Sequence, residues 1–298
     1  MPSFSKSILL LQRWNQLSIA ECEEMARELE RHLPERFRFH KVSPSMLGDQ
    51  KHLVAFFEWD GPPEGYDHSF FALIPGGEAQ LGYDREHPFE PDEQQRASWE
   101  QESLPMIHKT LDEYLDMVLT PLRQVFIEPF LLEVMAHPLA PAPVFNERLG
   151  PKGGWERSMV PISREAVAQR IACWGGFRFP TSDEWEYACA AGARTLFRWG
   201  NDTPTMPIPR IGTPTSRQWE KHLQQNAFGL FIACNPYHWE FCQEPGIMRG
   251  GDGGSAWQAG AGTFATWVTL ASTFYQEFEQ QATPFYGVYL RRAYSLDF

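Results

Sequence analysis

The cysteines are the first candidates for chemistry in this sequence, because thiols can bind metal ions or form disulfides. Cys234 and Cys242 lie eight residues apart and flank Trp239 and Glu240. Such a pair could approach to hold copper(I), which prefers soft sulfur ligands, or could form a disulfide. Two separate thiols packed as small hydrophobic side chains are the simpler interpretation, because free cysteine is among the most buried residue types. The spacing alone leaves these alternatives open.

A glycine-rich segment, residues 250–262, is the second candidate for chemistry. Such segments bind phosphate when they follow a strand and open a helix, because the backbone N–H groups then converge. The residues that follow here favour a loop instead, and we predict a mobile recognition loop. Aromatic side chains dominate interface energetics, although core packing would explain each of them equally simply. The candidate partner-binding residues are Asp252, Trp257, Trp267 and Tyr286.

The composition excludes several classes of protein. With 298 residues, of which 43% are hydrophobic and 21% charged, the chain fits one large globular domain or two smaller ones. The formal net charge of -12 opposes direct binding to nucleic acid and favours solubility or steering of a basic partner. The longest apolar runs fall short of the roughly 18 residues that a membrane span needs.

The N-terminal residues and the cysteines indicate where in the cell the protein is located. The apolar run at residues 8–11 is shorter than the hydrophobic region of a secretory signal peptide, which has roughly 7 to 15 residues. The five cysteines are an odd number without CxxC spacing. We therefore predict reduced thiols and a cytoplasmic protein.

The first part of the chain predicts a helix followed by a sheet. Ser18 and Glu21 form a capping box, and Pro34 should stop the helix that follows it. Its apolar stripe comprises Ile19, Cys22, Met25, Ala26, Leu29 and Leu33. Short apolar runs at residues 37–40, 53–57 and 70–74, separated by turn residues, predict antiparallel strands.

Two further helices and a loop are predicted in the middle of the chain. Residues 82–102 are polar and acidic, which indicates a surface loop. An apolar face predicts one helix from Leu104 to Leu119, before Pro121. Another helix should open at Ser163 and end at Gly175, with an apolar face of Val167, Ile171 and Trp174.

Residues 178–188 are the most informative local segment. Thr181 and Glu184 form a second capping box, and Asp183 adds negative charge to the first turn. The predicted buried face comprises Trp185, Ala188 and Cys189, and Gly192 is placed to end the helix. Caps and core packing explain this segment without catalysis.

Together with its neighbours, this segment resembles the formylglycine-generating enzyme (sulfatase-modifying factor) family. GGFRFPT at 175–181, EWEYA at 184–188 and FRWGND at 197–202 are similar to the family's GGxRLPTxxEWEYA…WGD signature. NAFGL at 226–230 with WEFC at 239–242 resembles a second segment. RGG at 249–251, SAW at 255–257 and GVYLR at 287–291 resemble the family's ending, and IPGGE at 74–78 its opening strand.

The resemblance implies an α+β, loop-rich, C-type-lectin-like fold. It covers residues 68–298, which predicts a formylglycine-generating-enzyme-like domain there and an N-terminal α/β extension at residues 1–67. The many Gly, Pro and Trp residues, with few long periodic segments, agree with a loop-rich fold.

The same resemblance implies where the family's chemistry would lie. Active members carry a cysteine pair, shortly after the RGG segment, that binds copper(I) and activates oxygen. In this chain no cysteine follows Cys242. Related sulfoxide synthases bind iron through three histidines, but the nine histidines here lack the expected H-x-x-x-H-x-E spacing. The expectation is therefore a pseudoenzyme with no catalytic residues.

A structural calcium ion is the cofactor that the resemblance suggests. Glu240 resembles a family glutamate that binds calcium together with nearby carbonyls, and Asn235 lies in the adjoining turn. Oxygen donors of this kind suit calcium. The turn at residues 235–238 differs from the family's Gly-Asn turn, so a glutamate without metal is the alternative.

The sequence thus predicts a non-catalytic, protein-binding scaffold. Some members of the family resemble immunity proteins, and an acidic inhibitor of a basic bacterial toxin would associate rapidly. The alternative is an oxygen-dependent oxidoreductase that assembles its metal from dispersed residues such as Cys234, Cys242 and several histidines. A carbohydrate-binding module ranks last, because the sequence shows no paired-acid calcium site for a sugar.

Overall fold

The fold was analysed in a computed structural model of the chain. The structure describes residues 6–60, 69–139, 145–149, 155–159, 163–173, 175–204, 220–278 and 288–297. Within these ranges no helix is both long and apolar enough to cross a membrane.

Among the described residues, the first two strands have 11 and 10 residues and the others have two to six. They are β1 (Phe37–Leu47), β2 (Gln50–Trp59), β3 (Ser69–Ile74), β4 (Gly77–Leu81), β5 (Arg123–Ile127), β6 (Phe130–Glu133), β7 (His137–Pro138), β8 (Phe145–Leu149), β9 (Trp155–Met159), β10 (Trp239–Phe241), β11 (Ile247–Arg249), β12 (Gln276–Glu277), β13 (Val288–Leu290) and β14 (Ala293–Ser295).

The helices are mostly one to three turns long. They are α1 (Leu11–Trp14), α2 (Ile19–Glu30), α3 (Glu93–Ser98), α4 (Leu104–Ile107), α5 (Leu111–Val118), α6 (Arg164–Cys173), α7 (Ser182–Ala190), α8 (Ser255–Ala259) and α9 (Thr263–Val268). A π-helical turn, Trp99–Ser103, joins α3 to α4. Short helices, short strands and long connections confirm the predicted α+β, loop-rich fold class.

Two five-stranded sheets organise the molecule. The first has the order β1-β2-β3-β6-β14, and its neighbouring strands are all antiparallel. The second has the order β12-β11-β10-β13-β7, in which β10 and β13 are parallel. Strands β4 and β5, and strands β8 and β9, form two further pairs.

The first sheet connects the two predicted parts of the chain. Strand β2 pairs with β3 through Phe56 opposite Ala72, so residues before 68 share a sheet with residues after 68. Helix α2 packs on this sheet and buries Cys22, Ala26 and Leu29. The domain boundary at residue 67 stays a prediction.

Three apolar clusters form the interior. One lies between α2, the first sheet and α6, where Phe37 contacts the rings of Trp59 and Phe71. A second surrounds α7 and includes Trp185, and a third lies beneath α3–α5 and includes Trp267. Helix α7 is thus packed in the middle of the second cluster, with six of its nine residues buried.

Capping chemistry explains where the predictions succeeded and failed. The boxes at Ser18 and Thr181 open α2 and α7 as predicted. Helix α2 ends at Glu30, before Pro34, and Ile19 lies 47% exposed outside the buried stripe.

The predicted loop at residues 82–102 was wrong in its second half. Asp92 and Gln95 form a capping box that opens α3, and a π-helical turn follows it. The predicted single helix from Leu104 to Leu119 was also wrong. His108 adopts a left-handed φ of 56°, and Thr110 then caps a separate helix, α5.

The predicted loop at residues 250–262 differs from the structure, whereas the helix predicted to open at Ser163 is present. Residues 250–262 do not form a continuous loop, because α8 begins at Ser255 and α9 follows at Thr263. Helix α6 covers Arg164–Cys173 and buries Ile171, while the predicted contact of Trp174 lies outside the described residues.

Candidate functional site

The amino end of α7 carries the first charged contact of the signature segments. The Thr181 hydroxyl accepts a hydrogen bond from the Glu184 backbone N–H at 3.0 Å. The Glu184 carboxylate accepts two bonds from Arg178, at 2.6 and 2.7 Å, and one from the Thr181 backbone. Glu184 is therefore engaged in capping and in pairing with Arg178.

Glu186 lies two residues further along α7 and is buried. Its Oε1 accepts the backbone N–H of Gly82 at 2.6 Å, and its Oε2 accepts Thr120 Oγ1 at 2.8 Å. Arg123 and Arg249 each donate to Oε2, at 2.9 and 2.8 Å. Burial alone would raise the pKa of Glu186, but the two guanidinium groups outweigh it and lower the pKa. An ionised carboxylate therefore joins α7 to β5, β11 and the turn at Gly82.

Glu240, on β10, forms the second buried ion pair. Its Oε2 accepts the Trp185 indole N–H and Arg291 Nε, both at 2.7 Å, and its Oε1 accepts Arg291 Nη2 at 2.9 Å. Arg291 also donates to the carbonyl oxygens of Glu133, Val134 and Phe231. This bidentate pair crosslinks β10 and the C-terminal segment beneath α7.

The predicted calcium ligands are engaged in internal contacts. Both carboxylate oxygens of Glu240 accept hydrogen bonds, as described above. Asn235 Oδ1 accepts the backbone N–H of Tyr237 at 2.9 Å. Calcium would have to displace these contacts to bind here, and the calcium site suggested by the sequence stays untested.

A third ion pair joins the end of β6 to the residue before β14. The Glu133 carboxylate accepts the backbone N–H of Arg292 at 3.0 Å, its Nε at 3.1 Å, and its Nη2. Arg292 also donates to Ser69 Oγ at 2.6 Å, and His137 Nε2 lies 3.1 Å from Glu133 Oε1. Burial would raise the pKa of Glu133, but Arg292 and His137 outweigh it and lower the pKa to about 2.

Asn226 closes the carboxyl end of α7. Its amide Nδ2 donates to the carbonyls of Ala188 and Cys189, at 2.6 and 3.0 Å. Its Oδ1 accepts the backbone N–H groups of Phe228 and Leu230, at 3.1 and 3.0 Å. One buried side chain thus connects the last carbonyls of α7 to the 226–230 turn.

The thiols are dispersed and are all free. Cys22, Cys189 and Cys242 are buried, Cys234 is half-buried and Cys173 is exposed. Burial raises the pKa of the Cys189 thiol to about 12, and it raises the pKa values of Cys234 and Cys242 above the ordinary value. Arg198 Nη2 lies 3.6 Å from Cys234 Sγ, yet burial outweighs its charge. Cys234 and Cys242 form no disulfide.

The predicted partner-binding residues occupy different environments. Asp252 is buried, and its carboxylate accepts the backbone N–H groups of Gly254 and Ala256 at 2.8 and 2.6 Å. Trp267 is buried in the third cluster, whereas Trp257, on α8, is half-buried. Tyr286 lies outside the described residues. The involvement of these residues in partner binding stays a prediction.

The sequence analysis missed an acidic surface, formed by residues 92–118, which we call the acidic helical layer. It comprises α3, the π-helical turn, α4 and α5, whose buried residues Trp99, Tyr114 and Leu115 pack into the third cluster. Its sequence holds seven acidic and two basic residues. Exposed apolar side chains interrupt the acids, namely Leu104, Met106 and Met117. The Asp92–Gln95 capping box was the signal that could have revealed it.

The described surface includes two clefts of the size of small-molecule sites. The larger, about 460 Å³, is polar and is lined by Tyr83, Asp84, His87, Glu186, Arg194 and Asn201, among others. The smaller, about 400 Å³, lies against the first sheet beside Glu133 and His137. Among the described residues, no three His, Cys, Asp or Glu side chains converge in a way that could hold a metal ion.

The comparisons with known proteins show a local similarity. No family model matches the chain. The hercynine oxygenase of Mycolicibacterium smegmatis is 43% identical over 54 residues, which are 17% of this chain and 13% of that protein. The hercynine oxygenases of Mycobacterium tuberculosis and Mycolicibacterium thermoresistibile are each 41% identical, over 54 and 49 residues.

The matched segment is a small part of this chain and of each relative. In the M. tuberculosis protein it covers 13% of the length, and in the M. thermoresistibile protein 11%. The match indicates a relationship with the formylglycine-generating enzyme superfamily. The activity of the whole relatives lies beyond what this segment can transfer.

Proposed function

We propose that this chain is a non-catalytic recognition module, built on a scaffold of the formylglycine-generating enzyme type, that binds a basic protein. The observation that carries the proposal is the acidic helical layer, where exposed acids surround exposed apolar side chains. An immunity protein that neutralises a basic bacterial toxin is the specific role we propose. Complementary charge would give fast association that weakens as salt is added.

The hydrogen bonding of the buried glutamates supports this proposal. Glu240 and Glu133 each accept several hydrogen bonds from a buried arginine, and Glu186 accepts one from the buried Arg249 and one from the half-buried Arg123. Buried charges that are paired in this way stabilise a fold only while the partner is present. The signature segments thus have a structural role that requires no reaction.

The residues at the position of the family's copper centre give further support, because they do not include the thiols that bind copper(I). The stretch after Arg249 carries Asp252 and glycines where active members carry cysteines. Burial also raises the pKa values of the Cys189 and Cys242 thiols, so neither supplies a ready thiolate in the metal-free protein.

The position of Trp257 supports the acidic helical layer as the surface that contacts the partner. A Cβ atom added at Gly260, which ends α8, would lie 4.0 Å from the Met106 side chain. Met106 is 53% exposed and Leu104 is 38% exposed. Helix α8 therefore borders the acidic helical layer, and Trp257 could extend its apolar part into an interface anchor.

The test is direct binding to the product of the adjacent gene, combined with cell protection on co-expression. Charge reversal at two exposed acids, Glu100→Lys with Asp112→Lys, should weaken binding about tenfold at low salt, and Trp257→Ala about as much. Glu24→Lys with Glu35→Lys, at exposed positions on and after α2, changes the net charge by the same amount; it is the matched control and should leave binding unchanged. A lack of both association and protection would contradict the proposal.

The second candidate is an oxygen-dependent oxidoreductase, which the local similarity to hercynine oxygenases favours. It requires a metal assembled from dispersed residues, such as Cys234, Cys242 and histidines. Metal analysis of the isolated protein should then find stoichiometric copper or iron, with oxygen consumption in the presence of a thiol substrate. Protein that remains metal-free and inactive after reconstitution with either metal would exclude this candidate.

A further inference from the structure

The smaller cleft lies at the surface of the first sheet, away from the residues of the acidic helical layer. Its walls come from β1, β2, β3, the end of β6 and the segment before and after the Asn226 turn. The lining residues include His40, Lys41, Ser43, Phe56, Ser69, Phe70, Glu133, Val134, Met135, His137, Gln225 and Phe231. Its volume, about 400 Å³, falls within the range of small-molecule sites.

A β-bulge brings two polar side chains to this cleft. The pairing of β1 with β2 shifts register between Phe39 and Lys41, so strict alternation is broken at His40. As a result, the consecutive residues His40 and Lys41 both line the cleft. The Lys41 ammonium lies 6.0 Å from the centre of the Phe56 ring, and the His40 ring packs edge-on against Phe70 at 5.1 Å.

The described lining of the cleft carries a net positive charge, although the chain as a whole is acidic. Glu133 is the acidic lining residue, and the Arg292 guanidinium neutralises it from beneath. Lys41 therefore leaves a net positive charge at the mouth. His137, held by Glu133, and His40 add ring nitrogens that can donate hydrogen bonds to an anion.

Apolar side chains line the cleft beside these polar groups. Met135 is 51% exposed and Phe70 is 37% exposed, and both line the opening together with Phe231 and Val134. Large exposed apolar side chains beside convergent polar groups are typical of ligand sites. The cleft thus offers cationic and apolar side chains within one small volume.

We propose that this cleft binds an amphipathic organic anion, with its carboxylate or sulfonate group at Lys41 and the two histidines, and its apolar body against Phe70, Met135 and Phe231. The proposal is independent of the recognition function proposed above, because the two sites share no residue. Binding requires no covalent step.

The test uses the full chain and the fluorescent amphipathic anion 8-anilinonaphthalene-1-sulfonate. We expect saturable binding, an about tenfold increase in Kd for Lys41→Gln and a similar increase for Met135→Glu, which places a negative charge at the opening. Lys51→Gln and Met46→Glu are matched controls at exposed positions outside the cleft and should bind as the wild type does. Urea midpoints equal to that of the wild type would show that all four variants are folded.

Competition identifies the chemistry of the ligand. Decanoate should displace the probe, whereas decyltrimethylammonium, which has the same chain and the opposite charge, should not. Unchanged Kd values for Lys41→Gln and Met135→Glu would overturn the proposal. Equal displacement by the two decyl compounds would overturn it as well, because the cleft would then not select for an anion.

Discussion

The Arg291 guanidinium and the Glu240 carboxylate form a buried bidentate ion pair, with Nε–Oε2 and Nη2–Oε1 distances of 2.7 and 2.9 Å. The Trp185 indole N–H donates to the same carboxylate at 2.7 Å. The pair therefore joins three segments that lie far apart in sequence: helix α7, strand β10 and the C-terminal strands. Each of these segments carries part of the sequence signature.

Removing the cation of this pair alone should cost more than removing both charges. Arg291→Met leaves Glu240 buried without its partner, and we expect a loss of about 3–5 kcal/mol in the free energy of unfolding. The double variant Glu240→Gln with Arg291→Met should recover part of that loss. Urea unfolding measures both. Arg31→Met, in an exposed ion pair with Glu28, is the control, and a similar loss there would contradict a specific role for the buried pair.

Calcium should leave the stability unchanged, because Arg291 and Trp185 occupy both oxygens of Glu240. We expect the same Tm in excess calcium and in excess chelator, measured by differential scanning calorimetry. A ligand that binds the folded state raises Tm with concentration, so a calcium-dependent increase would show that the Glu240–Asn235 site exists. Glu240→Gln would then abolish that increase.

Glu133 should make the protein sensitive to acid. Its folded pKa, about 2, lies below the ordinary value of 4.5, so its contribution is fully present above about pH 4.5 and is lost as the pH falls towards 2. Glu133→Gln should be less stable than the wild type at neutral pH, and the difference should shrink across this window. Urea midpoints measured between pH 2 and 6 test this.

The control for this titration is Glu128→Gln, at an exposed position beside β6. Its stability should follow the wild-type curve throughout, because Glu186 and the other buried acids are unchanged. A constant difference between Glu133→Gln and the wild type at every pH would show that the depressed pKa of Glu133 does not contribute.

Local signals predicted the parts of the fold that short-range chemistry decides. The capping boxes at Ser18 and Thr181 placed two helix starts correctly, because hydroxyl and carboxylate satisfy the first N–H groups of a helix wherever it lies. The same rule, applied to Asp92 and Thr110, would have revealed α3 and the break before α5. Polarity suggested a loop at the first site, and continuous apolar periodicity concealed the break at the second.

The candidate site depended on contacts that local rules do not describe. Glu186 lies between the buried residues Trp185 and Tyr187, which was a sign of a buried charge. Its partner Arg249 is 63 residues away, and Glu133 lies 159 residues from Arg292. No spacing rule predicts which arginine reaches which carboxylate, because tertiary packing decides that pairing.

The thiols provide a test that separates the two proposed functions. We expect one fast-reacting thiol with Ellman's reagent at mildly alkaline pH, because Cys173 is exposed while Cys22, Cys189 and Cys242 are buried. Burial raises the pKa of Cys22 to about 11 and that of Cys189 to about 12, which suppresses the reactive thiolate. Cys173→Ser should therefore remove the fast phase, and denaturation should expose the remaining four cysteines. A fast phase that survives in Cys173→Ser and disappears in Cys173→Ser with Cys234→Ser would identify Cys234 as a reactive thiol beside Arg198, and would favour the oxidoreductase over the recognition module.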